Sequence, residues 1–196
     1  MMEAVSMTEV YFVRHAEPDL SIHEDFIRPL SNKGKKDAYN LVTFFNDKKI
    51  DAVLSSPFLR TIDTVRNIAF KFQVEIQTVD DFRERKIDGW IDDFNSYTKN
   101  QWLDFNYTLK SGESLKEVQC RNINALTKVL NEFNGQTIVI GTHGTALSTI
   151  INYYDHTYGY EDFIKIKNQM PLVVKMVFED EKCISITTEV KGSVNK

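Results

Sequence analysis

Arg14 and His15 follow directly on the apolar run Val10-Tyr11-Phe12-Val13, and His143 stands just beyond a second run, Thr137-Ile138-Val139-Ile140. Each run predicts a buried strand. Two imidazoles and a guanidinium therefore fall at the C-terminal ends of strands, where open α/β sheets build their sites. Between them, Ser55-Ser56-Pro57-Phe58-Leu59-Arg60 reads as a third strand end running into a helix that carries another arginine. Two arginines beside two histidines describe a pocket for a phosphate dianion with a nucleophile in it. Guanidinium forks stay cationic and match phosphoryl oxygens in pairs, so Arg14 and Arg60 suit the binding role better than lysines would. His15 is the candidate nucleophile: one ring nitrogen must be unprotonated, and the other is best fixed by donating to a backbone carbonyl. Neighbouring arginines disfavour its imidazolium form. His143 would then hydrogen-bond the transferring phosphoryl group.

The elements that must hold these side chains read as alternating strands and helices. A polar lead-in over 1–8, in which Met7 stands as an alternative start beside Met1, precedes a strand at 9–14. Residues 16–30 lack periodicity and hold Pro18 and Pro29, which predicts a loop over the first strand end. Ser31 is placed to cap a helix running to about Asp47, with Ala38, Leu41, Val42 and Phe45 on one face. A short strand is predicted at 51–55 and another at 73–79, and Pro57 suits the first turn of the helix between them. The segment 82–110 carries Trp90, Phe94, Tyr97, Trp102, Phe105 and Tyr107. It is expected to be a helical, cap-like excursion over the pocket, its aromatics forming a satellite core in preference to stacking on substrate. Over 113–133, Leu115, Val118, Ile123, Leu126, Val129 and Leu130 recur at helical spacing, with Gly135 as the stop. A helix opened by Gly144 and a closing strand pair at 172–178 and 183–190 complete the chain. No repeat or linker calls for a second domain, so 1–196 is read as one α/β domain. Its predicted architecture is a three-layer sandwich, a mostly parallel sheet with helices on both faces.

The strings Val13-Arg14-His15-Ala16-Glu17, Ser55 to Arg60, Arg83-Glu84-Arg85 and Gly141-Thr142-His143-Gly144 occur in this order, with Pro29 to Gly34 and Ser111-Gly112-Glu113-Ser114 among them. With these the chain resembles the histidine phosphatase superfamily, in its phosphoglycerate-mutase-like branch, from about Glu9 to Phe178. A lone Arg-His-Ala would be weak, but four ordered strings are not. The resemblance implies a phosphohistidine formed on His15, a phosphate pocket of Arg14, His15, Arg60 and His143, and Glu84 as the carboxylate that protonates the leaving group. Glu17 is a second nearby carboxylate, whose loop position suggests a structural or secondary role. The sequence departs from the family pattern at Ala16, where glycine is common, and at Thr145, where a second glycine often occurs. Ser21 replaces a phosphate-touching asparagine, and the stretch after Glu84 lacks the usual glycine spacing. His23, Arg28, Arg85, Lys86 and Trp90 are candidate specificity contacts; His23 and His156 otherwise read as surface residues.

Composition bounds the rest. At 196 residues, 42% hydrophobic and 27% charged, the chain has the make-up of a soluble globular protein with a full core. A net charge of -4 without a Lys/Arg-rich stripe argues against nucleic acid as partner. Neither a secretory signal nor a membrane anchor is visible, so a cytoplasmic protein is expected. Cys120 and Cys183 read as buried or half-buried thiols in a reducing compartment. The expected partner is a small phosphorylated substrate; the oligomeric state is left open.

Three alternatives stand beside phosphomonoester hydrolysis. A silent phospholigand-binding module needs neither nucleophile nor proton donor, yet both are kept. A metallohydrolase needs ligands beyond two histidines, so no metal or cofactor is expected. A phosphoglycerate-mutase-type phosphotransferase shares the phosphohistidine, but in the family the chain resembles such mutases are usually longer, with segments that shield the intermediate from water, and this compact chain with its altered loop after Glu84 favours hydrolysis.

Overall fold

In the first strand Val10 and Phe12 alternate with Tyr11 and Val13, all four buried, which requires packing layers on both sides of the sheet. A computed structural model, describing residues 6–191 apart from Asp88 and Trp90, has that arrangement. β1 (Met7–Arg14) pairs in parallel with β4 (Thr137–Thr142), β4 with β2 (Ala52–Ser55), and β2 with β3 (Ile76–Thr78). On its other side β1 pairs antiparallel with β5 (Leu172–Glu179), which pairs antiparallel with β6 (Lys182–Lys191). The sheet order is β3-β2-β4-β1-β5-β6.

Tyr11, Val13, Val53 and Val139 form one core with Leu41 of α1 (Asn32–Leu41) and Val65 and Ile68 of α2 (Leu59–Phe72). Val10, Phe12, Leu54, Ile138 and Ile140 form the other, with Leu126 and Leu130 of α4 (Leu115–Glu132) and Leu147 and Ile150 of α5 (Gly144–Tyr154). The register sets Arg14 opposite Thr142 and Ser55 opposite Gly141. His15, His143 and Ser56, each next in the chain, consequently leave the sheet on one edge.

Within the excursion, α3 (Phe94–Leu103) is capped by the Asp93 carboxylate, which accepts from the Ser96 N–H. Trp102 packs with Leu115 and with Phe163 of α6 (Tyr160–Ile166), Phe105 lying against them. The satellite core expected from the aromatic content is thus present around Trp102, while Trp90 lies outside the described residues.

Several boundaries differ from the sequence reading. β1 begins at Met7 because its antiparallel partner carries pairing out to Met7 and Glu179. The first helix tightens into a 3-10 turn over Val42–Phe45, which buries Phe45. Gln73, predicted as strand, ends α2 in the left-handed conformation, with φ 55. Pro57 precedes α2 instead of entering it: the cap is Phe58, held extended, and its N–H reaches the Ser56 hydroxyl at 3.3 Å. The seven residues of α6 were too few to show a period. Cys120 is exposed, on the solvent side of α4, and only Cys183 is partly buried.

Candidate active site

His15 leaves β1 with its backbone N–H on the Thr142 carbonyl, 3.1 Å away, so the two strand ends fix its position. Its Nδ1 lies 2.8 Å from the Ala16 carbonyl oxygen. A carbonyl only accepts, so Nδ1 carries the proton and Nε2 presents its lone pair. Ala16 is fully buried, its N–H bonded to the Thr64 hydroxyl of α2. Arg14 is also buried and donates through Nη1 to the carbonyls of Ile166 and Gln169, at 2.8 and 3.3 Å. Its Nε has no partner among the described residues, and no ion pair to Arg14 occurs among them. Burial pushes its pKa down to about 10, which still leaves it charged at neutral pH. Gly144 makes room for this guanidinium, since a Cβ there would lie 3.1 Å from its central carbon.

From the other strand ends come Arg60 and His143. Arg60 Nη2 lies 3.3 Å from His143 Nδ1, and His143 Nε2 lies 2.8 Å from the Ser56 hydroxyl. The guanidinium only donates, so Nδ1 accepts and the proton sits on Nε2. The rings of His15 and His143 meet edge to face, centroids 5.4 Å apart, and Phe58 covers His143 from a further side at 5.1 Å. Arg60 Nη1 meanwhile donates to the Asp25 carbonyl at 2.7 Å and lies 3.2 Å from its carboxylate. Asp25 is thus an anion already seated on the second arginine, a residue for which the aperiodic loop gave no signal.

Glu84 joins this group from the far side of the sheet edge. Its Oε1 accepts from the Arg85 and Ala146 N–H groups, and its Oε2 from Thr145 N–H at 3.0 Å. The carboxylate therefore occupies the N-terminus of α5, where free N–H groups and the helix dipole favour an anion. Its loop is held by Arg121 of α4, which donates to the carbonyls of Asp81, Arg83 and Glu84 and pairs with Glu113. Glu113 in turn accepts from Lys86 N–H at 2.8 Å, while its own N–H donates to the Lys86 carbonyl. The sequence string around Glu113 marked this place without disclosing its task, and nothing in a helical arginine singled out Arg121.

All five residues picked from sequence, Arg14, His15, Arg60, Glu84 and His143, thus come together. Glu17 does not: its carboxylate accepts from Ser31 Oγ at the start of α1 and faces Lys33. Ser21 bonds Asp19 and stays exposed, away from the cluster. A cavity of about 1050 Å³ opens beside Arg60 and Glu84, with His23, Arg28, Arg85 and Lys86 among its lining. His156 is exposed and lies outside that lining. Among the described residues no three His, Cys, Asp or Glu side chains converge as metal ligands.

Burial, reinforced by Arg60 and then Arg14 for His15, and by Arg60 and then His15 for His143, holds both imidazoles well below their ordinary value of 6.5. Below pH 6.5 the unfolded chain takes up protons that the folded one refuses, so stability falls with falling pH until the folded values are passed. Thermal unfolding should show Tm dropping from about pH 7 to about pH 5, and His15→Ala or His143→Ala should each make that slope shallower. An unchanged slope in both variants would contradict neutral, buried imidazoles.

A parallel core extended by two antiparallel strands, with Arg-His at one strand end and a second His at the next, defines a class of protein. The model of the histidine phosphatase superfamily (branch 1) matches residues 10–189, and the chain belongs to that superfamily. It is 27% identical over 150 residues to the uncharacterized phosphatase PhoE of Bacillus subtilis (strain 168), covering 74% of this chain and 76% of that protein. In structure it is similar to a mycobacterial glucosyl-3-phosphoglycerate phosphatase, with TM-score 0.76, 14% identity and coverage of 95% and 100% of the two chains. It is similar also to a phosphoglycerate mutase of Bacillus anthracis str. Sterne, with TM-score 0.72, 17% identity and coverage of 94% and 92%.

Proposed function

We propose that this protein hydrolyses a small phosphorylated metabolite through a phosphohistidine on His15, without a metal ion and in the cytoplasm. The observation that carries the reading is His15 itself, its Nδ1 tied to the Ala16 carbonyl and its Nε2 left as a lone pair in the field of Arg60 and Arg14. The mycobacterial and Bacillus subtilis relatives, both called phosphatases, support the reaction class.

In the first step Nε2 attacks phosphorus, the bond from phosphorus to the leaving oxygen breaks, and protonated Glu84 gives its proton to that oxygen. The carboxylate so formed is received by the N–H groups of Thr145 and Ala146. Arg14, through its Nε, and Arg60, released from Asp25, neutralise the phosphoryl oxygens. His143, held between Ser56 and Arg60, faces His15 at the edge of the pocket that receives the phosphoryl group. In the second step Glu84 takes a proton from water, the oxygen attacks phosphorus, and the bond to His15 breaks to release phosphate.

Water competes well for the phosphohistidine unless a site excludes it, and the cavity beside Glu84 is bordered by exposed His23 and Asp92. The test is a screen of phosphorylated metabolites with detection of free phosphate, run beside 3-phosphoglycerate. Phosphate release from at least one compound, with little 2-phosphoglycerate formed, is expected. Efficient isomer interconversion would make the protein a mutase, and phosphate binding without turnover would make it a silent binding module. Activity should survive EDTA; loss restored by a divalent ion would refute the metal-free mechanism.

Glu84→Gln should slow alkyl phosphates far more than p-nitrophenyl phosphate, because a poor leaving group needs a proton and a good one does not. Steady-state rates on the two substrates check this. Equal losses would remove Glu84 from the acid role.

A further inference from the structure

The rim of the cavity carries more positive charge than the phosphate subsite uses. Arg28 is paired with Asp25, and Arg83 with Asp80 and Glu113. Arg85 is different. It is 5% exposed, lines the cavity and makes no ion pair among the described residues. Its Nη1 donates to the neutral amide oxygen of Gln101, and its Nε has no partner among the described residues. The guanidinium lies over the rings of Phe94 and Tyr97, 5.5 and 5.3 Å from their centroids. Gln101 is itself fixed, its amide nitrogen donating to the carbonyls of Tyr107 and Glu113. The Glu84 carboxylate attracts this guanidinium without a direct ion pair and its hydrogen-bonded partner is neutral, so Arg85 keeps donors for a further anion, because desolvated charge is normally paired.

Where that anion comes from follows from the chain. The Arg85 N–H donates to Glu84 Oε1, so Arg85 adjoins the carboxylate that serves the leaving oxygen. The Nε edge of a guanidinium offers two parallel N–H donors at the spacing of carboxylate oxygens, and the flanking rings favour a planar group. We infer that Arg85 binds a carboxylate carried by the leaving alcohol, so that the preferred substrates are phosphomonoesters bearing a carboxylate. This rests on the phosphomonoester reading above. It assigns Arg85 to substrate choice, with the exposed Lys86 adding charge at the entrance.

The test compares two ligands that cannot be hydrolysed, 3-phosphonopropionate and propylphosphonate, which differ in the carboxylate. Calorimetric titration of the wild-type protein should show the carboxylate-bearing ligand binding at least about tenfold tighter, as a charge-assisted bidentate pair warrants. In Arg85→Gln the ratio of the two dissociation constants should fall to about one, and in Arg85→Lys it should fall between. Thermal unfolding identifies a variant that fails to fold; the wild-type ratio then decides alone. A wild-type ratio near one, or one that survives Arg85→Gln in a folded protein, overturns the inference. Because no turnover enters this measurement, its failure is separate from failure of the phosphatase reading, which p-nitrophenyl phosphate hydrolysis reports.

Discussion

Replacing His15 with alanine should abolish phosphate release while leaving the protein folded. No second side chain of the cluster is placed to take over: His143 has its Nε2 on Ser56 and its Nδ1 against Arg60. Among the described residues the His15 ring hydrogen-bonds only to the carbonyl of its own neighbour, so removing it severs no hydrogen bond between the elements described. Wild-type protein quenched during turnover should carry acid-labile, alkali-stable phosphate, and the variant none. Far-ultraviolet circular dichroism verifies the fold. Activity near wild type in the purified variant would end the nucleophile assignment.

Arg14→Ala and Arg60→Ala should each lower kcat by about two decades or more, the usual consequence of losing one preorganised donor to the transition state. The two losses should differ in kind. Arg14 also ties β1 to the carbonyls of Ile166 and Gln169, which its removal leaves without this donor, so Arg14→Ala should cost stability as well. Arg60 holds the Asp25 loop and the tautomer of His143, so Arg60→Ala should disturb the acid limb of the pH profile in addition to the rate. Arg60→Lys, keeping the charge but not the fork, should recover only part of the loss. Single-turnover kinetics and Tm separate these effects, and a loss below tenfold in both alanine variants would contradict a two-arginine pocket.

Much of this site was legible in the sequence because strand ends are legible. An apolar run that gives way to polar residues shows where the chain leaves the sheet, and three such runs placed Arg14 and His15, Ser55-Ser56, and His143 at strand ends. The repeated succession of strand and helix likewise foretold the two helical layers. The partners that orient these groups were not legible, since each is brought in by tertiary contact. Asp25 reaches Arg60 from a loop without period, Arg121 reaches three carbonyls from the middle of a helix, and the Ile166 and Gln169 carbonyls that anchor Arg14 have no side-chain signature. Boundaries moved where packing overrode propensity, as when Phe45 drew the end of the first helix into a tighter turn.

The bonds between Lys86 and Glu113 have a consequence for how such a protein changes over time. Those two residues exchange hydrogen bonds at the base of everything between them, and Arg121 pins the backbone just before it. The intervening stretch leaves and rejoins the scaffold through one doubly tied point, and docks back on it where Trp102 meets Leu115 and Phe163 and where Gln101 meets the Glu113 carbonyl. Insertions and deletions between those docking points fall downstream of the pin that sets Glu84. A lineage can therefore rewrite what it recognises while inheriting its hydrolytic step intact, and a laboratory can graft foreign segments between the same points.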